Sequence, residues 1–134
     1  MNITFILPGL SRNPSGGFKV IFEYANRLLK RGHKVNIVFD CEFIIYHRYN
    51  NIPKIIKKIL CIILTYICPR WFKLEPDIKK ICSLSGINDR ELPDGDVVCA
   101  TAVMTAKGVR NLSDSKGKKL YLIQDFENWH GITS

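Results

Sequence analysis

The sequence predicts an α/β fold, a Rossmann-like parallel sheet flanked by helices, on three observations. An apolar strand at residues 3–7 runs through the loop Pro8-Gly9-Leu10-Ser11-Arg12-Asn13-Pro14-Ser15-Gly16-Gly17 into a helix that stops at Gly32, and a second strand follows. The run Val97-Val98-Cys99-Ala100, after a Pro/Gly turn, is continuously apolar, as in a parallel strand buried on both faces. Strand and helix patterns then alternate to the end of the chain, which implies helices on both faces of one sheet.

Each element has its own signal. In the first helix Phe18, Ile21, Tyr24, Ala25, Leu28 and Leu29 recur at steps of three and four, while Lys19, Glu23, Asn26, Arg27 and Lys30 fall mostly elsewhere. Ser15 is its expected cap. Gly32, after Lys30 and Arg31, is its expected stop, because glycine enters the left-handed region without a Cβ clash. Residues 35–39 form the second strand. Ile78, Ile81, Cys82 and Leu84 suggest a short strand, and residues 88–95 a polar turn before the strand at 97–100. Thr101 or Thr105 is expected to cap a helix carrying Ala106, Val109 and Leu112. Residues 120–123 read as another central strand, ending at Gln124-Asp125-Phe126-Glu127.

A chain of 134 residues, 46% hydrophobic and 24% charged, suits one folded domain with a real core rather than a disordered segment. Cys41, Cys61, Cys68, Cys82 and Cys99 are odd in number, form no C-x-x-C pair and sit in apolar stretches. They read as reduced core or interface thiols of a cytoplasmic protein, not as a metal site or a disulfide framework. The apolar opening has no basic stretch before it, so no signal peptide is expected.

The net charge of +8 is uneven. Residues 48–80 hold eight basic side chains (Arg48, Lys54, Lys57, Lys58, Arg70, Lys73, Lys79, Lys80) against Glu75 and Asp77, interleaved with Ile, Leu, Tyr66, Trp71 and Phe72. The apolar run at 59–68 is ten residues long, against the twenty or so needed to span a bilayer. Two readings stand side by side: a peripheral membrane contact through Lys54, Lys57, Lys58 and Trp71, or a buried helix with snorkelling lysines. Nucleic acid is not expected as a partner, because aliphatic side chains in such numbers would be stranded beside phosphates.

In an open parallel sheet, ligands bind outside the carboxyl ends of the strands. Three loops converge there: residues 9–17, 101–105 and 124–127. Gly16 and Gly17 at a helix N-terminus suit a phosphate group, since unpaired N–H groups point the same way there. The strand-helix-strand unit alone suits a dinucleotide oxidoreductase, a nucleotide-sugar enzyme or a domain without a nucleotide about equally, because it lacks G-x-G-x-x-G. The doublet also reads as a plain turn. For an oxidoreductase, Asp40 is the nearest candidate for a ribose-binding acid. Asp125 and Glu127, two apart, project the same way if the strand continues, with the amide of Gln124 beside them. Their structural alternative is hydrogen bonding that organises the loop.

Three blocks in order carry a resemblance. Residues 1–39, the segment L-P-D-G-D-V-V-C-A-T-A-V-M-T-A and the segment Y-L-I-Q-D-F-E-N-W resemble the N-terminal domain of glycosyltransferase family 4 enzymes of the GT-B fold, in a bacterial surface-polysaccharide branch with rhamnosyltransferase-like members. The resemblance implies retaining transfer of a sugar from a nucleotide-diphosphate donor to a saccharide or lipid-linked acceptor. It implies no obligatory metal and no cofactor beyond the nucleotide-sugar co-substrate. By similarity Gly16 and Gly17 lie against the donor diphosphate, Thr101, Thr105 and Gln124 face the acceptor, and Asp125 and Glu127 border the reacting sugar as the catalytic carboxylates. The basic apolar insertion at about 48–80 fits an enzyme peripheral on the inner face of the membrane.

Family members continue past the position of Ser134 into a donor-binding domain with an E-x(7)-E-type motif. The expectation is therefore that residues 1–134 are a single incomplete acceptor-side domain, inactive without a donor-domain partner and prone to self-association. The alternative, of a different class, is a non-catalytic membrane-docking subunit of a split glycosyltransferase.

Overall fold

A computed structural model describes residues 1–10, 16–42, 45, 51–67 and 70–122. In chain order its elements are β1 (Asn2–Leu7), α1 (Gly16–Lys30), β2 (Lys34–Asp40), α2 (Lys54–Ile67), β3 (Lys79–Ser83), β4 (Val97–Ala100), α3 (Val103–Arg110), a 3-10 turn (Asp114–Lys116) and β5 (Lys118–Tyr121). The five strands form one all-parallel sheet in the order β3-β2-β1-β4-β5, flanked by helices, so the fold is α/β and Rossmann-like.

Connectivity follows from handedness. The chain steps from β1 to β2 to β3 in one direction, then returns to pair β4 with the other side of β1 and moves outward to β5. Right-handed crossovers then place α1 and α2 on one face and α3 on the other. Packing agrees. Phe5, Leu7, Ile37 and Phe39 share a core with Ile21, Phe22 and Ala25 of α1 and Cys61 of α2. Ile6, Val38, Val98 and Ala100 share a second core with Val109 and Leu112, at and just past α3. Successive residues of β1 and β2 alternate between the two cores because strand side chains have a period of two.

Phe22 anchors the first core. It is fully buried, with its ring centroid 5.7 Å from that of Trp71 and 5.6 Å from that of Phe72. The side chain of Asn26 ties the same stretch to α1, donating to the Lys73 carbonyl at 3.0 Å and accepting from the Glu75 N–H at 2.9 Å. Tyr24, expected on the inward face, is instead exposed, and Phe22 takes its place four residues after Phe18.

The termini of α1 divide along the same boundary. Gly32, at φ 94°, ends the helix as its sequence position implies. The expected cap, Ser15, lies outside the described residues. β5 is a correction: residues 120–123 are expected to be a central strand, but β5 spans Lys118–Tyr121 at the edge of the sheet and all four of its residues are exposed.

The basic apolar segment is a helix whose faces are inverted. In α2 the buried residues are Lys57, Cys61 and Thr65, while Ile55, Ile56, Ile59, Leu60, Ile62, Ile63, Tyr66 and Ile67 are exposed. Its inner stripe packs beside β3, where the Tyr66 carbonyl accepts from the Lys80 ammonium at 2.7 Å. Among the described residues no helix is long and apolar enough to cross a membrane.

Candidate functional site

The reversal of strand order lies between β1 and β4. These strands are neighbours, but the chain leaves β1 towards α1 on one face and leaves β4 towards α3 on the other. Loops that part in opposite directions open a crevice at the carboxyl edge, the usual ligand position in sheets of this kind. Pro8, Gly9 and Leu10 follow β1 there, and Thr101 and Ala102 follow β4.

Two glycines at this edge differ from the others. Gly32, Gly86 and Gly117 have positive φ, and a Cβ on Gly95 or Gly108 would press on Asn2 or Ile87. Gly9 and Gly16 answer neither demand, since a Cβ at either would meet nothing within 4 Å among the described residues. Among the described residues, then, no packing neighbour demands glycine at these two positions. Gly16 and Gly17 are both exposed at the start of α1, whose first-turn N–H groups have no partner within the helix and whose first turn holds no acid. The positive end of the helix dipole is thus left uncompensated by side-chain charge in that turn.

Thr101 and Thr105 form the opposite wall. The Thr101 hydroxyl donates to the Ile6 carbonyl at 2.7 Å, tying β4 to β1 across the crevice. The Thr105 hydroxyl accepts from the N–H groups of Thr101, at 3.2 Å, and Ala102, at 3.1 Å, and donates to the Ala102 carbonyl. Ala102 is the N-cap residue of α3, with extended backbone, so Thr101 does not cap that helix, while Thr105, at its third position, accepts from the N–H of the cap residue. Thr105 is wholly buried and Thr101 nearly so. The Thr101 hydroxyl ties β4 to β1 and the Thr105 hydroxyl holds the turn in shape. Gln124, Asp125 and Glu127 lie outside the described residues.

The four residues expected at a membrane divide. Lys54 is exposed and Lys58 half-buried on α2. Lys57 is a correction, buried on the inner stripe, and Trp71 is half-buried, with its ring beside that of Phe22. Helical spacing explains Lys57. Lys57 shares its stripe with Cys61 and Thr65, four and eight residues on, and that stripe faces β3.

Two further features lie at or near the carboxyl ends of β2 and β3. Asp40 ends β2, one strand over from β1, and accepts from the Glu42 N–H at 3.1 Å; burial raises its carboxyl above the ordinary carboxylate range. Cys41 and Cys82 place their sulfurs 3.4 Å apart on neighbouring strands, and Cys61 adds a third thiol from α2. The thiol of Cys41 and, less strongly, the Thr65 hydroxyl favour a thiolate at Cys82 and bring it down to about 7 against the effect of burial. The bond with Cys82 and burial push Cys41 up. Among the described residues no group of three or more His, Cys, Asp or Glu side chains is arranged to hold a metal ion.

No family model, no curated protein and no solved structure matches the chain.

Proposed function

We propose that the chain is the acceptor-side part of a glycosyltransferase, moving a sugar with retention from a nucleotide-diphosphate donor to a saccharide or lipid-linked acceptor. The observation that carries the reading is the pair Gly9 and Gly16, where no described residue lies within 4 Å of an added Cβ, Gly9 just after β1 beside the strand-order reversal and Gly16 opening α1. Bare backbone there lets phosphate oxygens approach the N–H groups of the first turn of α1, where the helix dipole favours negative charge. The three sequence blocks that resemble the GT-B family supply the sugar-transfer part of the reading.

In this reading Gly16 and Gly17 contact the donor diphosphate. The turn held by Thr101 and Thr105 shapes the acceptor wall with Gln124, and Asp125 and Glu127 serve the reacting sugar. Stabilising a departing diphosphate takes positive or hydrogen-bonding groups aimed at the leaving oxygens, which the donor domain supplies. Transfer is therefore expected only when that domain is present, at the cytoplasmic face of a membrane for a lipid-linked acceptor.

Titration of the labelled chain with a panel of nucleoside-diphosphate sugars, followed at the Gly16 and Gly17 amides by NMR, tests the phosphate site. Saturable shifts at these amides, weakened by Gly16→Ala, are expected. An absence of shifts at millimolar ligand, with a folded donor domain also failing to restore transfer, overturns the reading.

The second reading, a non-catalytic docking subunit of a split glycosyltransferase, is favoured by the outward apolar face of α2. It predicts that lipid binding persists in Gly16→Ala/Gly17→Ala while no nucleotide-sugar binds the wild-type chain.

A further inference from the structure

The helix α2 presents its apolar side to the outside. At about 100° per residue, the buried side chains Lys57, Cys61 and Thr65 centre on one direction and the eight exposed apolar ones centre on the opposite direction, over an arc of roughly 160°. Each of the eight, Ile55, Ile56, Ile59, Leu60, Ile62, Ile63, Tyr66 and Ile67, is between 41% and 78% exposed. No charged residue falls in the arc. A contiguous patch of this make-up exceeds what single copies of folded proteins ordinarily leave in water.

Charge identifies what covers it. Residues 43–74 contain no Asp or Glu, although the chain has 12 in all. Lys58 lies about 40° outside the arc, Lys54 is exposed at the opening of the helix in the direction of the inner stripe, and Arg70, also exposed, follows the end of the helix. An apolar stripe with one cation beside it, others at the two ends of the helix and no carboxylate matches a layer of acyl chains under anionic headgroups. A second copy fits poorly, because a two-fold contact would set these cations against their own counterparts with no acid to offset them. The patch is also separate from the candidate nucleotide site. It lies on the outer side of α2, beside the β3 edge of the sheet, while the crevice lies at the carboxyl ends of β1 and β4.

We infer that α2 is an in-plane membrane anchor, which lays Ile55, Ile59, Ile62, Ile63 and Tyr66 among the acyl chains of an anionic bilayer while Lys54, Lys58 and Arg70 meet the headgroups. The helix is about 21 Å long, enough to lie along the interface and too short to cross it. The sheet then stands on the bilayer through one face. This inference does not depend on the glycosyltransferase reading, and it holds or fails without any nucleotide present.

The test is co-sedimentation of the purified chain with phosphatidylcholine vesicles and with vesicles in which roughly one third of the lipid is phosphatidylglycerol. Binding to the anionic vesicles is expected, at least tenfold tighter than to the neutral ones and weakened by salt. Ile59→Asn/Ile63→Asn is expected to reduce it at least tenfold, and Lys54→Gln/Lys58→Gln severalfold. Both isoleucines are exposed, so both variants should keep the wild-type melting temperature. Phe22→Leu, a core change on the inner side of the sheet face, should leave vesicle binding intact as long as the chain is folded. Failure to sediment with either vesicle, equal binding to both, or binding indifferent to the isoleucine pair overturns the inference. So does a vesicle-free dimer that the isoleucine variant dissolves, since the face would then belong to a second copy.

Discussion

Asp40 and Cys82 are the residues whose surroundings alter their chemistry most usefully, and both lie at or near the carboxyl ends of β2 and β3. Burial raises the Asp40 carboxyl, the neighbouring Glu42 charge adds to that, and the Glu42 N–H opposes it. A carboxyl whose folded value lies above its unfolded value supports the fold when protonated, and that support is lost as pH rises through the folded value. Asp40→Asn keeps an oxygen for the Glu42 N–H and removes the buried charge. It is expected to raise the melting temperature at pH 7 and to lose that advantage as pH falls and the wild-type Asp40 carboxyl takes up its proton. A melting series in pH checks both limbs. For Cys82 the thiolate is the reactive form, so its alkylation by iodoacetamide should rise through about pH 7, with Cys99, raised by burial, reacting far more slowly. Cys41→Ala removes the sulfur partner and should move the Cys82 midpoint upward, as read by mass spectrometry of the labelled peptides. Neither the pair nor its third member, Cys61, is visible in residue spacing, since 41, 61 and 82 meet only when β2, α2 and β3 pack.

At the scale of the element, α1 illustrates how far a periodic pattern reaches. Its length, its stop at Gly32 and most of its inward face follow from the recurrence of apolar residues at steps of three and four. The sequence does not rank Phe22 against Tyr24, because both are large aromatics within reach of the same stripe. The return of Trp71 and Phe72 over the helix selects Phe22. Phe22→Ala is expected to destabilise the chain by about 3–5 kcal/mol, whereas Tyr24→Ala should change stability by less than about 0.5 kcal/mol, measured by urea unfolding. A comparable loss for the two variants would mean that Trp71 and Phe72 do not close over α1. In α2 the same period marks two faces clearly, and nothing local says which of them the sheet takes.

For the whole molecule, the order β3-β2-β1-β4-β5 sets a gradient of stability as well as the place of the site. β1 is paired on both sides and buried from Ile3 to Leu7, while β5 is paired on one side and exposed throughout. Amides of β5 are expected to exchange with deuterium by local opening, well ahead of those of β1, which should exchange only with global unfolding. Equal protection would indicate that another chain or segment covers the β5 edge. The crevice at the other axis of this order lies beside β1, where the strands are held most firmly, so Gly9 and the start of α1 project from the rigid centre of the sheet. Such placement suits a site that must keep its backbone N–H groups aimed without a ligand to organise them.

The sequence by itself determined the local elements: the strands near residues 3–7, 35–39 and 97–100, the helix ending before Gly32, and the α/β alternation from which a parallel sheet follows. These rest on periodicity, turn chemistry and chain reversal, which neighbouring residues specify among themselves. It also indicated that the helix after the first strand opens near Gly16 and Gly17, because a strand, a loop and a helix N-terminus are consecutive. Only the tertiary structure decided that β5 is an edge among the described strands, that the Thr101 hydroxyl is committed to β1 and that of Thr105 to the turn, that Lys57 faces inward and Trp71 packs beside Phe22, and that three distant thiols converge. The physical reason is common to all four. A repeat says which side chains share a face, but which way that face turns, and what it meets, depends on residues far away in the chain.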